Sequence, residues 1–333
     1  MDIPVLHFFN NKYVTPAAVS FYSMLENADK NQNYILYVGH SDITKENQEK
    51  LKKTIENFKN AQLEFINMNN KFDDLFKKTK MGGNFSKEMY YKFLAASLLP
   101  QYDKVIITDV DVVFLGDIAK EFIDFDISEE YYLAGAKSGL SRSDSWIDKF
   151  SSRYDKDFSF EERKLLNFAG GYYIFNCKKI RKDNLESKFI SFAFENCKRI
   201  IQPEQDTINI CCGDKKKALS PRALVCTYLY DMYRSELDFN KGSGYDAATI
   251  KDALNNPIQV HYATTKKPWL EVCPKQELWF SYLAKTPFFE EYMRGLMPEN
   301  KKVLFKFTIL GRTFKFTKEH AKYENDGCFI KAK

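Results

Sequence analysis

Lys104-Val105-Ile106-Ile107-Thr108-Asp109-Val110-Asp111-Val112-Val113-Phe114-Leu115-Gly116-Asp117 is an apolar, β-branched run that delivers two carboxylates, two residues apart, into whatever lies beyond its end. Its first part, Lys104 to Thr108, reads as a buried strand, and in open α/β sheets ligands bind outside the carboxyl ends of the strands. Paired acids at such an end suit a divalent cation held against a diphosphate. Asp-Val-Asp alone is a weak motif, since surface aspartates often flank strand ends. It gains weight from a second motif far downstream, His261-Tyr262-Ala263-Thr264-Thr265-Lys266-Lys267-Pro268-Trp269, which follows another apolar run and supplies an imidazole, two lysines and an indole.

Strand and helix signals alternate on the amino-terminal side of the first motif. Residues 3–9 read as a buried strand, and Thr15-Pro16 as an N-cap and first helical position opening a helix over 15–25. A second strand is expected over 34–38, then a charged amphipathic helix capped by Thr44 and running to about Phe58, then a third strand over 63–66. After the pair Gly82-Gly83, Ser86 is expected to cap a helix that Pro100 bounds. This β-α-β-α-β order predicts an α/β fold, a mostly parallel central sheet with helices on both faces. Beyond the motif, strands are expected over 131–136, 171–175, 225–229 and 258–261. Helices are expected over 185–199 and 275–293, and a long polar loop over 137–167.

Composition sets the bounds. A chain of 333 residues with 44% hydrophobic content buries a substantial core, and a net charge of +5 is too small for a dedicated nucleic-acid binder. Seven cysteines without CxxC spacing argue against a zinc site or a disulfide framework. No apolar run approaches the ~20 residues of a membrane span, and no cleavable signal is visible, so cytoplasmic residence is expected. No internal repeat or low-complexity linker divides the chain. The expected organisation is one domain over 1–300 and a basic, aromatic tail over 301–333.

With Tyr102-Asp103-Lys104-Val105-Ile106 before Asp109-Val110-Asp111, Leu115-Gly116-Asp117-Ile118 after it, and His261 followed by Lys267-Pro268-Trp269, the chain resembles the family 8 glycosyltransferases over roughly residues 3–270. These include glycogenin and bacterial lipopolysaccharide galactosyl- and glucosyltransferases. The resemblance implies a GT-A fold with a single Rossmann-like domain, a UDP-sugar donor, Mn²⁺, and transfer with retention of configuration to a saccharide acceptor. The residues suit that chemistry in their own right. Asp109, Asp111 and His261 offer two carboxylates and an imidazole to a metal, a mixed set that suits Mn²⁺ better than Mg²⁺, the alternative ion. The ion would act as a Lewis acid on the leaving diphosphate. Lys267 would place an ammonium on the same diphosphate. Lys92 stands where the family usually has Arg, a point charge in place of a bidentate fork. Val110, between the two acids, is counted with the donor-binding residues.

The first βα turn, Phe8-Phe9-Asn10-Asn11-Lys12-Tyr13, matches the place where the family grips uridine. Tyr13 is positioned to stack on uracil and the backbone at Phe8 and Phe9 to read its edge, while Asn10 replaces the family's usual Asp. In Phe168-Ala169-Gly170-Gly171-Tyr172-Tyr173, Ala169 replaces the family's sugar-binding Asn. Glu204-Gln205-Asp206 resembles the Asp-Gln-Asp run beside the anomeric carbon. Glu204 would bind sugar hydroxyls, Gln205 would face the anomeric carbon, and Asp206 would orient the helix or the site. An amide oxygen is a poor nucleophile, which favours a front-face route in which the departing diphosphate takes the acceptor's proton.

Two alternatives stand beside this reading. An aspartate-nucleophile phosphatase also begins with an apolar strand ending in Asp-x-Asp, but lacks the usual Gly-Thr here and leaves His261 to Trp269 unexplained. A catalytically inactive UDP-sugar binder is suggested by Asn10, Ala169 and Glu204. In the tail, Lys301, Lys302, Lys306, Arg312, Lys315 and Lys318 interleave with Phe305, Phe307, Phe314 and Phe316, with Gly311 as a turn between two short β-like arms. That pattern is expected either as a packed hairpin or as a peripheral contact with the inner face of a membrane.

Overall fold

The computed structural model describes residues 1–79, 85–137, 158–234, 245–263 and 265–296, and the backbone of 303–309 and 312–317. The chain lays down strands β1 (Asp2–Phe8), β2 (Asn33–His40), β3 (Ala61–Asn67), β4 (Lys104–Thr108), β5 (Val112–Phe114), β6 (Leu133–Lys137), β7 (Phe168–Asn176), β8 (Lys216–Ala218), β9 (Val225–Cys226) and β10 (Gln259–His261). Seven of them form one sheet in the order β3-β2-β1-β4-β7-β6-β8. β7 runs antiparallel to its neighbours β4 and β6, and every other adjacent pair is parallel.

Consecutive apolar residues in these strands reflect helices on both faces. In β4, Ile106 faces one core, while Val105 and Ile107 face the other. β7 alternates in the same way, with Tyr172 and Ile174 on the first side and Tyr173 and Phe175 on the second. The first core is closed by the Val14–Glu26 and Lys45–Ile55 helices through residues such as Phe21, Met24, Leu51 and Ile55, and by Trp279. The second is closed by Tyr90 and Phe93 and by the helices at Leu185–Glu195 and Pro203–Cys212 through Leu185, Phe189 and Ile208.

Several local expectations change. Thr15 does not cap the first helix. Asn10 instead caps a 3₁₀ turn, Asn11–Tyr13, by accepting from Lys12 N–H at 3.1 Å, and the turn runs straight into Val14–Glu26. Pro16 sits in the first helical turn, where its missing N–H costs nothing. Thr44 does cap its helix, accepting from Asn47 N–H at 3.2 Å. Ser86 makes no side-chain cap bond, and the segment after it is 3₁₀ over Lys87–Leu94 before the short helix Ala95–Leu98. The strand expected over 225–229 stops at Cys226, and Tyr228–Met232 is helical. Pro287 divides the expected 275–293 helix into Gln276–Leu283 and Phe289–Gly295.

Of the expected 137–167 loop, residues 138–157 lie outside the described residues, as do Gly82-Gly83, Thr264, Gly311, Lys301, Lys302 and Lys318. The loop's end is ordered by a helix, Phe160–Leu165, whose capping box pairs Ser159 with Glu162. In the tail, β11 (Val303–Ile309) and β12 (Arg312–Thr317) pair antiparallel, as two arms. Among the described residues no helix is long and apolar enough to cross a membrane.

Candidate active site

β1 and β4 lie side by side, with β2 and β3 beyond one and β7 beyond the other, so the strand order reverses between them. A crevice opens at such a switch point, outside the carboxyl ends of the strands. β4 ends at Thr108, and Asp109 N–H donates to Gly171 C=O at 3.1 Å, holding the chain to β7 for one more residue. The chain then leaves the large sheet. β5 pairs antiparallel with β10, placing Val112 opposite His261, and Tyr262 N–H donates to Asp111 C=O at 2.9 Å. This pairing brings the imidazole to the carboxylates. A second tie runs between the sheets, from Gln259 Nε2 to Thr108 Oγ1 at 2.8 Å.

Each aspartate divides its oxygens in the same manner. Asp109 Oδ1 accepts the Lys92 ammonium at 2.8 Å, and its Oδ2 lies 3.6 Å from His261 Nε2. Asp111 Oδ2 meets the Lys267 ammonium, and its Oδ1 lies 3.2 Å from the same Nε2. One oxygen of each acid and the ring nitrogen therefore converge, and their donor atoms all lie within 4.8 Å of one another. Two bonds of about 2.1 Å to a shared ion nearly bridge that span. The three residues fit a divalent cation.

Burial and charge act together here. Burial pulls the His261 imidazole down, but the Asp111 carboxylate prevails and pushes it up to about 10. Burial raises Asp111, and Lys267 and His261 more than offset it, holding that carboxyl well below the usual range. Lys92 is 3% exposed; burial opposes its charge, but Asp109 and Glu204 keep it protonated above its ordinary range. Its Nζ also donates to Gly170 C=O at 3.0 Å and to Glu204 Oε1 at 3.1 Å, joining β4, β7 and the Pro203–Cys212 helix at one atom.

Gly170 and Gly171 make this convergence sterically feasible. A Cβ on Gly171 would sit 2.5 Å from His261 Cε1 and Nδ1, and one on Gly170 would sit 3.1 Å from Gln205 Oε1. Gly170 N–H donates to that Oε1 at 2.7 Å. Gln205 is thus fastened to β7, the strand whose Gly171 C=O holds Asp109 N–H. Asp206 is buried, and its Oδ2 accepts from the N–H groups of Ile201 and Gln202, both at 2.8 Å, in the turn that enters the helix.

The βα turn lies on the other side of the acids. Tyr13 is partly buried; burial, then Asp111 and Asp109, push its phenol up to about 12, and Trp269 meets its ring edge-on at 5.9 Å. Trp269 also packs on Trp279 at 5.5 Å, anchoring the Lys267 loop. Phe8 ends β1 beside Tyr91, whereas the Phe9 ring is core, packed on Phe21. The Val110 side chain is also core, which leaves its backbone for the crevice. The Asn10 amide is engaged: besides Lys12 N–H, its Nδ2 donates to Glu88 Oε2 at 3.3 Å.

Glu88, buried and also bonded by Ser41 Oγ at 2.5 Å, was not singled out from sequence, and neither was Gly171. For Gly171 a signal existed, because two glycines inside an apolar strand mark a close approach of another group. Glu88 carried none, reading as an ordinary first-turn acid.

The profile of Glycosyl transferase family 8 matches residues 4–273. General stress protein A of Bacillus subtilis (strain 168) is 23% identical over 283 residues, spanning 83% of this chain and 91% of that protein. Glycosyltransferase GlyF of Streptococcus pneumoniae serotype 4 (strain ATCC BAA-334 / TIGR4) is 24% identical over 279 residues, 82% of this chain and 59% of GlyF. Among solved structures, galactosyltransferase LgtC, crystallised with donor and acceptor sugar analogues, superposes with a TM-score of 0.65 at 16% identity over 89% of this chain and 99% of its own. The bifunctional glycosyltransferase WbbM in its apo form gives 0.66 at 21% identity, and this chain spans 51% of its length. The shared architecture is the GT-A fold.

Proposed function

The chain belongs to glycosyltransferase family 8, and from that membership we propose a metal-dependent, retaining transfer of galactose or glucose from a UDP-sugar to a saccharide acceptor. The observation that carries the proposal is the division of oxygens at Asp109 and Asp111, each giving one to a lysine and turning the other toward His261. Membership in the family sets aside the phosphatase reading of the Asp-Val-Asp strand.

Asp109, Asp111 and His261 would hold the ion, with Mn²⁺ preferred for a mixed carboxylate and imidazole set. Bound there, the metal supplies Lewis-acid stabilisation of charge developing on the diphosphate. Lys267 and Lys92, already at the acids, would face the same oxygens. Tyr13 would cover the uracil face. With the Asn10 amide engaged by Lys12 and Glu88, the base edge would fall to the backbone at Phe8 and Phe9. Glu204, fixed through Oε1 by Lys92, retains Oε2 for a sugar hydroxyl. Gln205 presents an amide dipole rather than a nucleophile, so the acceptor hydroxyl would attack from the leaving-group side. Its proton would pass to the departing diphosphate oxygen, and the α configuration would be kept.

A panel of UDP-sugars with Mn²⁺, read by UDP release, tests the donor and the metal together. Release from UDP-galactose or UDP-glucose that chelation abolishes is the expected result. Full turnover in metal-free buffer, or a β-linked product by NMR, overturns the mechanism. UDP binding without turnover of any UDP-sugar would favour a binding role.

The acceptor proposed is a growing lipopolysaccharide or capsule glycan, worked on by residues 1–300 while the 301–333 tail rests on the inner face of the membrane. Support for the tail comes from register: Phe305 pairs with Phe316 and Phe307 with Phe314, while Lys306 pairs with Lys315 between them. Paired positions share a face and successive ones alternate, so the four phenylalanine positions fall on one side of the ribbon. Deleting 301–333 should reduce sedimentation with anionic liposomes and spare UDP-sugar hydrolysis; equal sedimentation refutes the membrane role.

A further inference from the structure

Asn209 is completely buried in the Pro203–Cys212 helix, and its side-chain amide is fully engaged. Oδ1 accepts from Phe168 N–H at 3.0 Å, and Nδ2 donates to Phe168 C=O at 2.9 Å and to Gln205 C=O at 2.8 Å. Pairing with both backbone groups of Phe168 makes the amide a substitute for a neighbouring strand at the first residue of β7.

One turn earlier the same helix grips the same strand again, through Gln205 Oε1 and Gly170 N–H. The two grips match in pitch. Four helical residues rise about 6 Å and two strand residues about 6.6 Å, so 205 and 209 can meet 170 and 168 at once without strain. Lys216 in β8 backs the arrangement, its Nζ donating to Asn209 C=O at 2.8 Å and Leu165 C=O at 3.0 Å. Without Asn209, the helix is held to β7 at Gly170 by the Gln205 side chain and by Lys92, which bridges Gly170 C=O and Glu204, and neither contact reaches the Phe168 end of the strand.

We propose that Asn209 is the positioning residue for Gln205: its amide sets the rotation and height of the helix on β7, so that Gln205 is presented beside Gly170 at the sugar end of the site. The inference rests on the reading of Gln205 as the amide beside the anomeric carbon. It assigns Asn209 no contact with donor or acceptor.

A double-mutant cycle in the full-length protein tests it, using Asn209→Ala, Gln205→Ala and the pair. The readouts are kcat and KM for UDP-sugar turnover, UDP affinity by calorimetry, and amide hydrogen exchange at Gly170. Misplacement of about 1 Å costs on the order of 10²-fold in rate, so Asn209→Ala should lower kcat by about that factor. UDP affinity should stay within a factor of about two, because the diphosphate end is built from other elements. The pair should be no slower than Gln205→Ala alone, and Gly170 exchange should accelerate in both single variants. An equal fall in kcat on adding Asn209→Ala to Gln205→Ala, or unchanged exchange at Gly170, overturns the proposal while leaving the role of Gln205 standing. Undiminished turnover in Gln205→Ala removes that role and this proposal with it. Should the alanine variant not fold, Asn209→Gln, which keeps the amide one methylene further out, enters the same cycle with the same expectations.

Discussion

Gly171→Ala is the sharpest single perturbation of this site, because one added carbon acts on the ring proposed to bind the metal and on nothing else that is reactive. The new Cβ would lie 2.5 Å from His261 Cε1 and Nδ1, whereas ordinary contacts fall at 3.4–4 Å. The ring must therefore retreat by about 1 Å, or β7 must move away from it. His261 is 6% exposed, so retreat displaces packed neighbours at a cost of about 1–3 kcal/mol. Movement of β7 instead drags the Gly171 carbonyl that holds Asp109 N–H. Both routes separate Nε2 from the aspartate oxygens, and metal bonds tolerate only about ±0.2 Å. Disturbing a ligand's support typically lowers metal affinity about 10–100-fold, and that is the expected loss for Mn²⁺ measured by calorimetric titration. Gly171 lies outside the left-handed backbone region, so alanine brings no conformational strain to confuse the result. Gly295→Ala, where nothing lies within 4 Å, is the control and should leave Mn²⁺ affinity unchanged. A Gly171→Ala protein that binds Mn²⁺ and melts like the parent would refute the packing argument.

Lys92→Met leaves Asp109 and Glu204 facing one another without their shared cation, and should lower stability by about 3 kcal/mol in urea titration; a change under about 1 kcal/mol contradicts the ion-pair account. Asp206→Ala removes the acceptor of two backbone N–H groups and should destabilise by about 2–4 kcal/mol, with Asp206→Asn losing less; equal losses in the two would show that the carboxylate oxygen is not what matters. His7 is fully buried, and burial, partly opposed by the Thr108 backbone, pulls its imidazole down to about 3. The unfolded chain then takes up a proton near pH 6.5 that the folded chain refuses, so stability complete above that pH is lost as pH falls from 6.5 toward 3. Between pH 7 and pH 5 the loss is about 2 kcal/mol, and His7→Gln should remove that part of the slope; an unaltered slope assigns it to other groups.

The legibility of this molecule follows the range of its interactions. β4 was readable to the residue because both its faces are covered, so Val105, Ile106 and Ile107 are apolar without interruption and the acids stand out at its end. Thr44 was readable as a cap because its partner, Asn47, is three residues away. Thr15 misled for the same local reason: it looks like a cap, but Asn10 had already begun the turn, and the 3₁₀ segment that joins them carries no periodic signature. The candidate site was readable as a set of residue types, carboxylates, imidazole and lysines, and unreadable as an arrangement. A carboxylate has two oxygens, and sequence cannot say which partner each will take. That division depends on β5 pairing with β10 so that Val112 faces His261, and on the Lys87–Leu94 turn burying Lys92 against Gly170 and Glu204. Asn209 marks the limit most clearly. In the chain it is one polar residue inside a short helix, a place where asparagine is mildly unfavourable, and the reason for it appears only when Phe168 arrives with a free N–H and C=O to be paired. A local preference broken without a local reason is the signal to look for a distant backbone that needs the side chain.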